Sequence, residues 1–241
     1  STRAAFAAIH FDGSLSAWGD PAFGGTAPSP PLGKIVAVAS TESAFAALTT
    51  DGAVATWGNP ANGGDGVPTD LLSPSDGKAI TSIASTTGAF AALQADGGVT
   101  AWGSPSAGGI LADALQGDTV SVTALFATSE AFVAVKKDGS AVGWGGGSAT
   151  VPDALADPDP PAILTVVTSA TAFAAILDDG TVMAWGSAAY GETNVPDEVR
   201  HQSGHAGNDQ VVSITAAEHA FAAVTASGVV YAWGNLGSGG T

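Results

Sequence analysis

Apolar and polar residues alternate along most of this chain with a period of two, the spacing that lines one face of a β-strand. In Ala44 to Gly58, AFAALTTDGAVATWG, two such runs flank an Asp-Gly pair. Asp-Gly between alternating runs is the strongest short-range signal of a β-hairpin. Near copies of the stretch occur six times, anchored by Phe6, Phe45, Phe90, Phe132, Phe173 and Phe221. In each copy a glycine follows seven residues later (Gly13, Gly52, Gly97, Gly139, Gly180, Gly228) and a tryptophan twelve residues later (Trp18, Trp57, Trp102, Trp144, Trp185, Trp233). All six tryptophans are used in this way. Successive Phe anchors lie 39, 45, 42, 41 and 48 residues apart. Constant spacing inside and variable spacing outside describe one supersecondary unit joined by loops of unequal length.

A two-residue turn at Asp51-Gly52 would set Thr50 opposite Ala53, Leu48 opposite Ala55, Ala46 opposite Trp57 and Phe45 opposite Gly58. Each large ring then faces a very small residue. Leu48, Ala46 and Trp57 share one face in this register, and Phe45, Ala47, Val54 and Thr56 the other. Both faces carry apolar groups, which predicts sheets covered on both sides, as stacked blades are. The turn calls for positive φ, tolerated by Asp and free to Gly; the last copy has Ser227-Gly228 instead.

Further alternating runs precede every anchor except the first: Ile35 to Ala39, Ala79 to Ala84, Val120 to Phe126, Ile163 to Thr168 and Val211 to Thr215. Each unit therefore has at least three antiparallel strands. Gly- and Pro-rich loops follow each Trp, and pairs near Pro28, Pro68, Pro152 and Pro196 are expected to start a short edge strand. Helix is limited to single turns at Asp113 to Leu115 and Asp153 to Ala156. The expected fold is all-β: six repeats of three to four antiparallel strands, β-propeller-like or in two pseudo-symmetric three-repeat lobes. We read residues 1–241 as one array, with approximate repeats 1–30, 31–75, 76–117, 118–160, 161–208 and 209–241. The first copy lacks a leading strand, so the expectation is that residues upstream or a neighbouring molecule supply the pairing.

Composition narrows the functions. Hydrophobic residues make up 45% of the chain, much of it Ala, and only 12% are charged. A surface so poor in charge and rich in Ala, Gly, Ser and Thr can pack against copies of itself. Arg3, Lys34, Lys78, Lys136, Lys137 and Arg200 stand against 22 acidic residues, for a net charge of -16. That balance opposes binding to nucleic acid or to an anionic membrane, which requires a basic face. Without cysteine the chain has no disulfide, thiol nucleophile or Cys-ligated zinc. No apolar run reaches the length of a membrane span, and a chain that starts with Ser reads as a processed or trimmed product.

The run VVSITAAEHAFAAVTASGVVYAWGNLGSGG, Val211 to Gly240, resembles the repeat of the regulator of chromosome condensation family. That likeness implies a β-propeller whose blades hold a leading strand, a His-containing step, a hairpin and a Trp-Gly pair. His219 falls at the His of that repeat; other copies have Ser, Thr or Glu nearby. The family's Gly-Gln-Leu-Gly ending is absent, the units are shorter, and six replace seven, so the resemblance implies architecture without activity. The recurring AFAAL, DG, TWG and GG wording also resembles the pyrenoid shell protein family of diatoms. This second likeness implies a self-assembling sheet, tube or shell around a Rubisco-containing pyrenoid, in an algal chloroplast.

Candidate chemistry is sparse. His201 and His205, in HQSGH, have the four-residue spacing of a helical zinc pair, but Gly and Ser between them break any helix, and we read a polar loop. His10 and His219 read as structural. Five aspartates (Asp12, Asp51, Asp96, Asp138, Asp179) recur at the turn because the turn demands them. Asp157 and Asp159 in DPDPP lack a full Ca²⁺ loop and read as a stiff linker. The six tryptophans read as core residues in place of a carbohydrate platform. No nucleophile elbow, phosphate-cradling loop or acid–base pair is present. The reading is non-enzymatic, with no catalytic, metal or cofactor residues and the twelve Phe and Trp anchors as structural positions. Two functions follow: a structural protein that associates with itself, or a propeller binding a protein or glycan through inter-repeat loops, above all Ser187 to Gln210.

Overall fold

Alternating sequence becomes antiparallel sheet throughout the described chain. The computed structural model describes residues 1–29, 33–75, 77–117, 121–147, 149–156, 161–189, 193–201 and 209–240. The first sheet pairs β1 (Ala5–Ile9) with β2 (Leu15–Gly19). The second orders β3 (Ile35–Ser40), β4 (Ala44–Thr49) and β5 (Val54–Gly58); the third β6 (Ile80–Ser85), β7 (Ala89–Gln94) and β8 (Val99–Gly103). The fourth holds β9 (Val122–Ala127), β10 (Ala131–Lys136) and β11 (Ala141–Gly145). The fifth holds β12 (Ile163–Thr168), β13 (Ala172–Leu177) and β14 (Val182–Gly186), and the sixth β15 (Val211–Ala216), β16 (Ala220–Thr225) and β17 (Val230–Gly234). Two compact units result: Ser1–Phe132 with Trp144–Gly146, and Val133–Gly143 with Gly147–Thr241.

The hairpin register differs by one residue from the two-residue turn expected. Gly52 donates its N–H to the Thr49 carbonyl at 3.1 Å and Thr49 donates to the Ala53 carbonyl at 2.9 Å. The loop is therefore Thr50-Asp51-Gly52, a type I turn followed by a glycine at φ +81°, the three-residue hairpin with a glycine bulge. Only glycines have positive φ among the described residues, so Asp51 is not the left-handed residue. The pairs become Ala44 with Gly58, Phe45 with Trp57, Ala46 with Thr56 and Leu48 with Val54. A one-residue slip exchanges faces, and Trp57 moves to the face of Phe45. The rings lie 5.1 Å apart at 22°. All six Phe and Trp pairs stack in this way, at 5.1–5.7 Å and 15–26°. An offset aromatic pair is worth about 0.5–1.5 kcal/mol beyond its burial.

Both faces of the inner sheets are covered. In the first unit Phe45, Ala47 and Trp57 pack towards Ala5 and Ile35 with Ala7 and Leu15. The opposite face of the same sheet, Ala44, Ala46, Leu48 and Val54, receives Phe90, Ala92 and Trp102 of the third. The rule is ring face onto the Ala, Leu and Val face of the preceding sheet. In the second unit Ala172, Ala174, Ile176 and Val182 meet Phe221, Ala223 and Trp233 by the same rule. Alanine is common because two sheets approach closely at these positions.

After Trp-Gly the chain makes a short 3₁₀ turn, at Pro21–Phe23, Pro60–Asn62, Pro105–Ala107 and Leu236–Ser238, each ending on a left-handed glycine. At Gly63 a Cβ would meet the Phe90 ring at 2.7 Å, so the backbone itself forms the socket for the next repeat's ring. The indole N–H completes the joint: Trp57 donates to the Gly24 carbonyl at 2.9 Å, Trp102 to Gly63 at 3.3 Å and Trp144 to Gly108 at 3.0 Å. The turn at the other end of the hairpin is a second joint. Ile80 donates to the Gly52 carbonyl at 2.9 Å and Val122 to Gly97 at 2.9 Å.

Pro68, Pro152 and Pro196 do not start the expected edge strands. Pro68 leads into a helical turn, Thr69–Leu72, and a second turn forms at Asp153–Ala156, as read from sequence. Each buries one leucine completely, Leu71 and Leu155. Pro196 opens a turn closed by Val199 N–H at 3.1 Å, after which Arg200 forms an isolated parallel bridge to Val182. The edge strand expected at Pro28 falls on residues 30–32, which lie outside the described residues. The leading strands carry a bulge between Ile35 and Ala37, Ile80 and Ser82, Ile163 and Thr165, and Val211 and Ser213. Such bulges twist an edge strand away from unwanted pairing.

Candidate functional site

The step between leading strand and hairpin is built by one hydroxyl. Thr41 accepts the Ala44 N–H at 3.0 Å and donates to the Asn62 carbonyl at 3.1 Å. Thr86 does the same with Ala89 at 3.0 Å and Ala107 at 2.9 Å, and Thr2 with Ala5 at 3.0 Å and Phe23 at 3.0 Å. A hydroxyl that bonds its own local backbone favours a turn over continued strand. The steps are then tied to one another by backbone bonds. In the first unit Arg3 donates to Glu42 at 2.8 Å, Glu42 to Thr87 at 2.9 Å and Thr87 to Ser129 at 2.8 Å. In the second Ala170 donates to Glu218 at 3.0 Å.

With the backbone groups occupied, the step side chains are left to the surface. In the first unit Glu42, Asn62, Thr87, Ser104, Ser106 and Glu130 line a recess of about 330 Å³. Glu42 and Glu130 are exposed, and no basic side chain lines the recess. Its chemistry is hydrogen-bond acceptance and negative charge, complementary to ammonium and guanidinium groups. A second cleft of about 270 Å³ in the same unit mixes Asp70 and Asp96 with Lys78 and has Gln94 donating to Thr100 at 3.3 Å. In the second unit the corresponding step places His219 Nδ1 3.5 Å from Thr171 Oγ1 and Nε2 3.9 Å from Glu218.

The turn aspartates serve geometry. Asp12, Asp96, Asp138 and Asp179 accept the N–H two residues on at 2.9–3.0 Å, the local bond typical of Asp in turns. The Ser14 hydroxyl and N–H hold the Asp12 carboxyl below the usual carboxylate range, and the Thr49 hydroxyl does so for Asp51 and the Ser140 hydroxyl for Asp138. In the last copy, where Ser227 replaces the aspartate, Asp209 reaches across to accept its N–H at 3.0 Å.

One histidine departs from the loop reading. His201 Nδ1 lies 3.0 Å from Asp179 Oδ2 and 3.1 Å from Thr181 Oγ1, because the bridge of Arg200 to Val182 carries the segment onto the fifth hairpin. Burial pushes the Asp179 carboxyl up; the Thr181 hydroxyl and N–H, with the His201 imidazole, outweigh it and hold the group below its ordinary range. Both contacts fall on the same ring nitrogen and Thr181 is buried, so this is a clamp without the relay of a nucleophilic triad. His205, Asp157 and Asp159 lie outside the described residues, as does part of the Ser187 to Gln210 insertion. His10 Nε2 is 2.6 Å from Ser16 Oγ. Among the described residues no cluster of His, Asp and Glu suits a metal ion, and no helix is long and apolar enough to cross a membrane.

No protein-family model matches the chain. No curated protein matches it. Solved structures do. Yeast RCC1 (Prp20) in its structure with Kap60 is 19% identical, with 97% of this chain and 68% of that chain covered at a TM-score of 0.60. Prp20p from Saccharomyces cerevisiae, described with its binding properties to Gsp1p and histones, is 19% identical over 97% and 70% at a TM-score of 0.58. Human WBSCR16 is 20% identical over 95% and 73% at a TM-score of 0.59. At these identities the likeness is one of fold: the chain is built of the small antiparallel sheets of RCC1-like β-propellers.

Proposed function

We propose that the chain is a non-enzymatic binding module that takes up a basic segment of a protein partner on its step face. The recess around Glu42 and Glu130 carries this reading: two exposed carboxylates among hydroxyls and an amide, on backbone tied repeat to repeat. A rigid acceptor surface binds a donor-rich segment with little ordering cost on its own side. The net charge of -16 steers basic partners towards the molecule. Binding of histones by Prp20p, a protein of this fold, is support by analogy of architecture.

The test is a fluorescence-anisotropy titration with a labelled arginine-rich peptide, repeated with histones. Saturable binding should weaken by about tenfold or more in Glu42→Gln/Glu130→Gln, as loss of two charge-assisted contacts implies. Asp65→Asn/Asp70→Asn changes net charge equally and should leave it unchanged. Equal weakening by both pairs would show attraction to overall charge and defeat the assignment of the recess.

A further inference from the structure

Four of the five aspartates at the hairpin turns receive a side-chain hydroxyl. Ser14 donates to Asp12 at 2.7 Å, Ser140 to Asp138 at 2.7 Å and Thr181 to Asp179 at 2.5 Å; in the second copy Thr49 donates to Asp51 from the other side of the turn. Asp96 differs. It accepts the Gly98 N–H at 3.0 Å, and among the described residues no hydroxyl reaches it. The third copy departs from the pattern at the two places that supply the hydroxyl elsewhere. Gly98 stands where the other Asp turns have Ser14, Ala53, Ser140 and Thr181, and Gln94 stands where the second has Thr49.

The two changes open one space. A Cβ built on Gly98 would lie 2.6 Å from Gln94 Oε1 and 3.2 Å from Asp96 Oδ1, so the glycine keeps clear the ground in front of both oxygens. Gln94 is 8% exposed. Its Nε2 donates to Thr100 at 3.3 Å, and among the described residues its Oε1 accepts no hydrogen bond. An amide oxygen on so buried a side chain is unfavourable until something donates to it. Both residues line the cleft of about 270 Å³ in the first unit, where Val99 and Leu111 add apolar wall, Lys78 an ammonium donor and Asp70 a further acceptor.

We propose that this cleft binds a neutral sugar, two of whose adjacent hydroxyls donate to Gln94 Oε1 and Asp96 Oδ1 over Gly98. The ligand class follows from the repeat itself: where this chain fills the same place with its own side chains, the group that meets the aspartate is a hydroxyl. Neighbouring acceptors suit neighbouring O–H donors. The apolar wall takes the C–H groups of the ring, with the few polar groups fixing its orientation, and Lys78 donates to a further sugar oxygen. A net charge of -16 turns anionic ligands away. These residues are distinct from those of the step recess, so the site stands whether or not that recess takes up a basic segment.

Titration of the full chain with glucose, galactose, mannose and N-acetylglucosamine, followed by ligand-observed NMR, tests it. At least one of the four should bind saturably. Gly98→Ser restores the hydroxyl of Ser14 and Ser140 and occupies the space, while Gln94→Thr/Gly98→Ala rebuilds the turn of the second copy. Each variant gives the turn an arrangement that the chain already uses, so both should fold and melt no lower than the wild type, and each should weaken binding by about tenfold or more. Glu42→Gln/Glu130→Gln should bind the sugar as the wild type does. Absence of saturable binding for all four sugars overturns the proposal. So does binding that survives unchanged in either folded turn variant, or that is lost in the step-recess variant.

Discussion

Trp57 and Trp185 hold equivalent places in their sheets and differ by one hydrogen bond. Trp57 donates to the Gly24 carbonyl; buried Trp185 finds no acceptor for its N–H among the described residues. In sequence the fourth copy reads GWGGGSAT, without the proline that opens the turn after Trp-Gly in the first three copies. An unmade buried bond costs about 1–3 kcal/mol. Trp57→Phe should therefore destabilise by about 1 kcal/mol more than Trp185→Phe in urea unfolding, although both remove the same atoms. Truncation separates positions by exposure: Trp57→Ala should cost about 3–5 kcal/mol and Trp18→Ala, where the indole is half exposed but still stacked on Phe6, about 1–2 kcal/mol. The equivalence of the six tryptophans was legible from their spacing. Their unequal hydrogen bonding was not, because the acceptor sits in the previous repeat.

At the scale of the element, the Asp-Gly turn and the His201 clamp carry separate expectations. Gly52 combines φ +81° with a Cβ position 2.8 Å from the Ala79 backbone, so Gly52→Ala should cost about 1–3 kcal/mol from the backbone conformation alone and loosen the joint to the third sheet. Gly66 at φ +71° has open space around it, and Gly66→Ala should cost less, which differential thermal melts would show. Asp179 has a folded pKa below its unfolded value near 3.9. Its contribution is thus present above about pH 4 and lost as pH falls through the lower folded value. Asp179→Asn should lower stability at neutral pH and flatten the acid limb of the stability profile, measured by urea unfolding from pH 7 down to about pH 3. Hairpins and leading strands were legible in the alternation, but pairing register was not. Asp-Gly suits two-residue and three-residue loops alike, and the stacking of Phe on Trp accompanies the longer one.

Across the whole molecule, 22 acidic groups stand against six basic ones, so most carboxylates have no Lys or Arg to pair with and repel one another. Screening over about 10 Å at 0.1 M salt should raise the melting temperature steadily from low to moderate NaCl, whereas a fold held by surface ion pairs would melt earlier. By itself the sequence determined an all-β chain of six like units and where each turn and ring would stand. These follow from period, spacing and residue type, all local properties. Only the tertiary structure decided which residues face one another, that the rings pair with each other and not with alanine, that a Trp of one repeat bonds a glycine of the one before, and that His201 clamps Asp179. Each of these depends on atoms brought together from separate repeats or loops, where close packing and hydrogen-bond geometry choose between arrangements that the local pattern leaves equal.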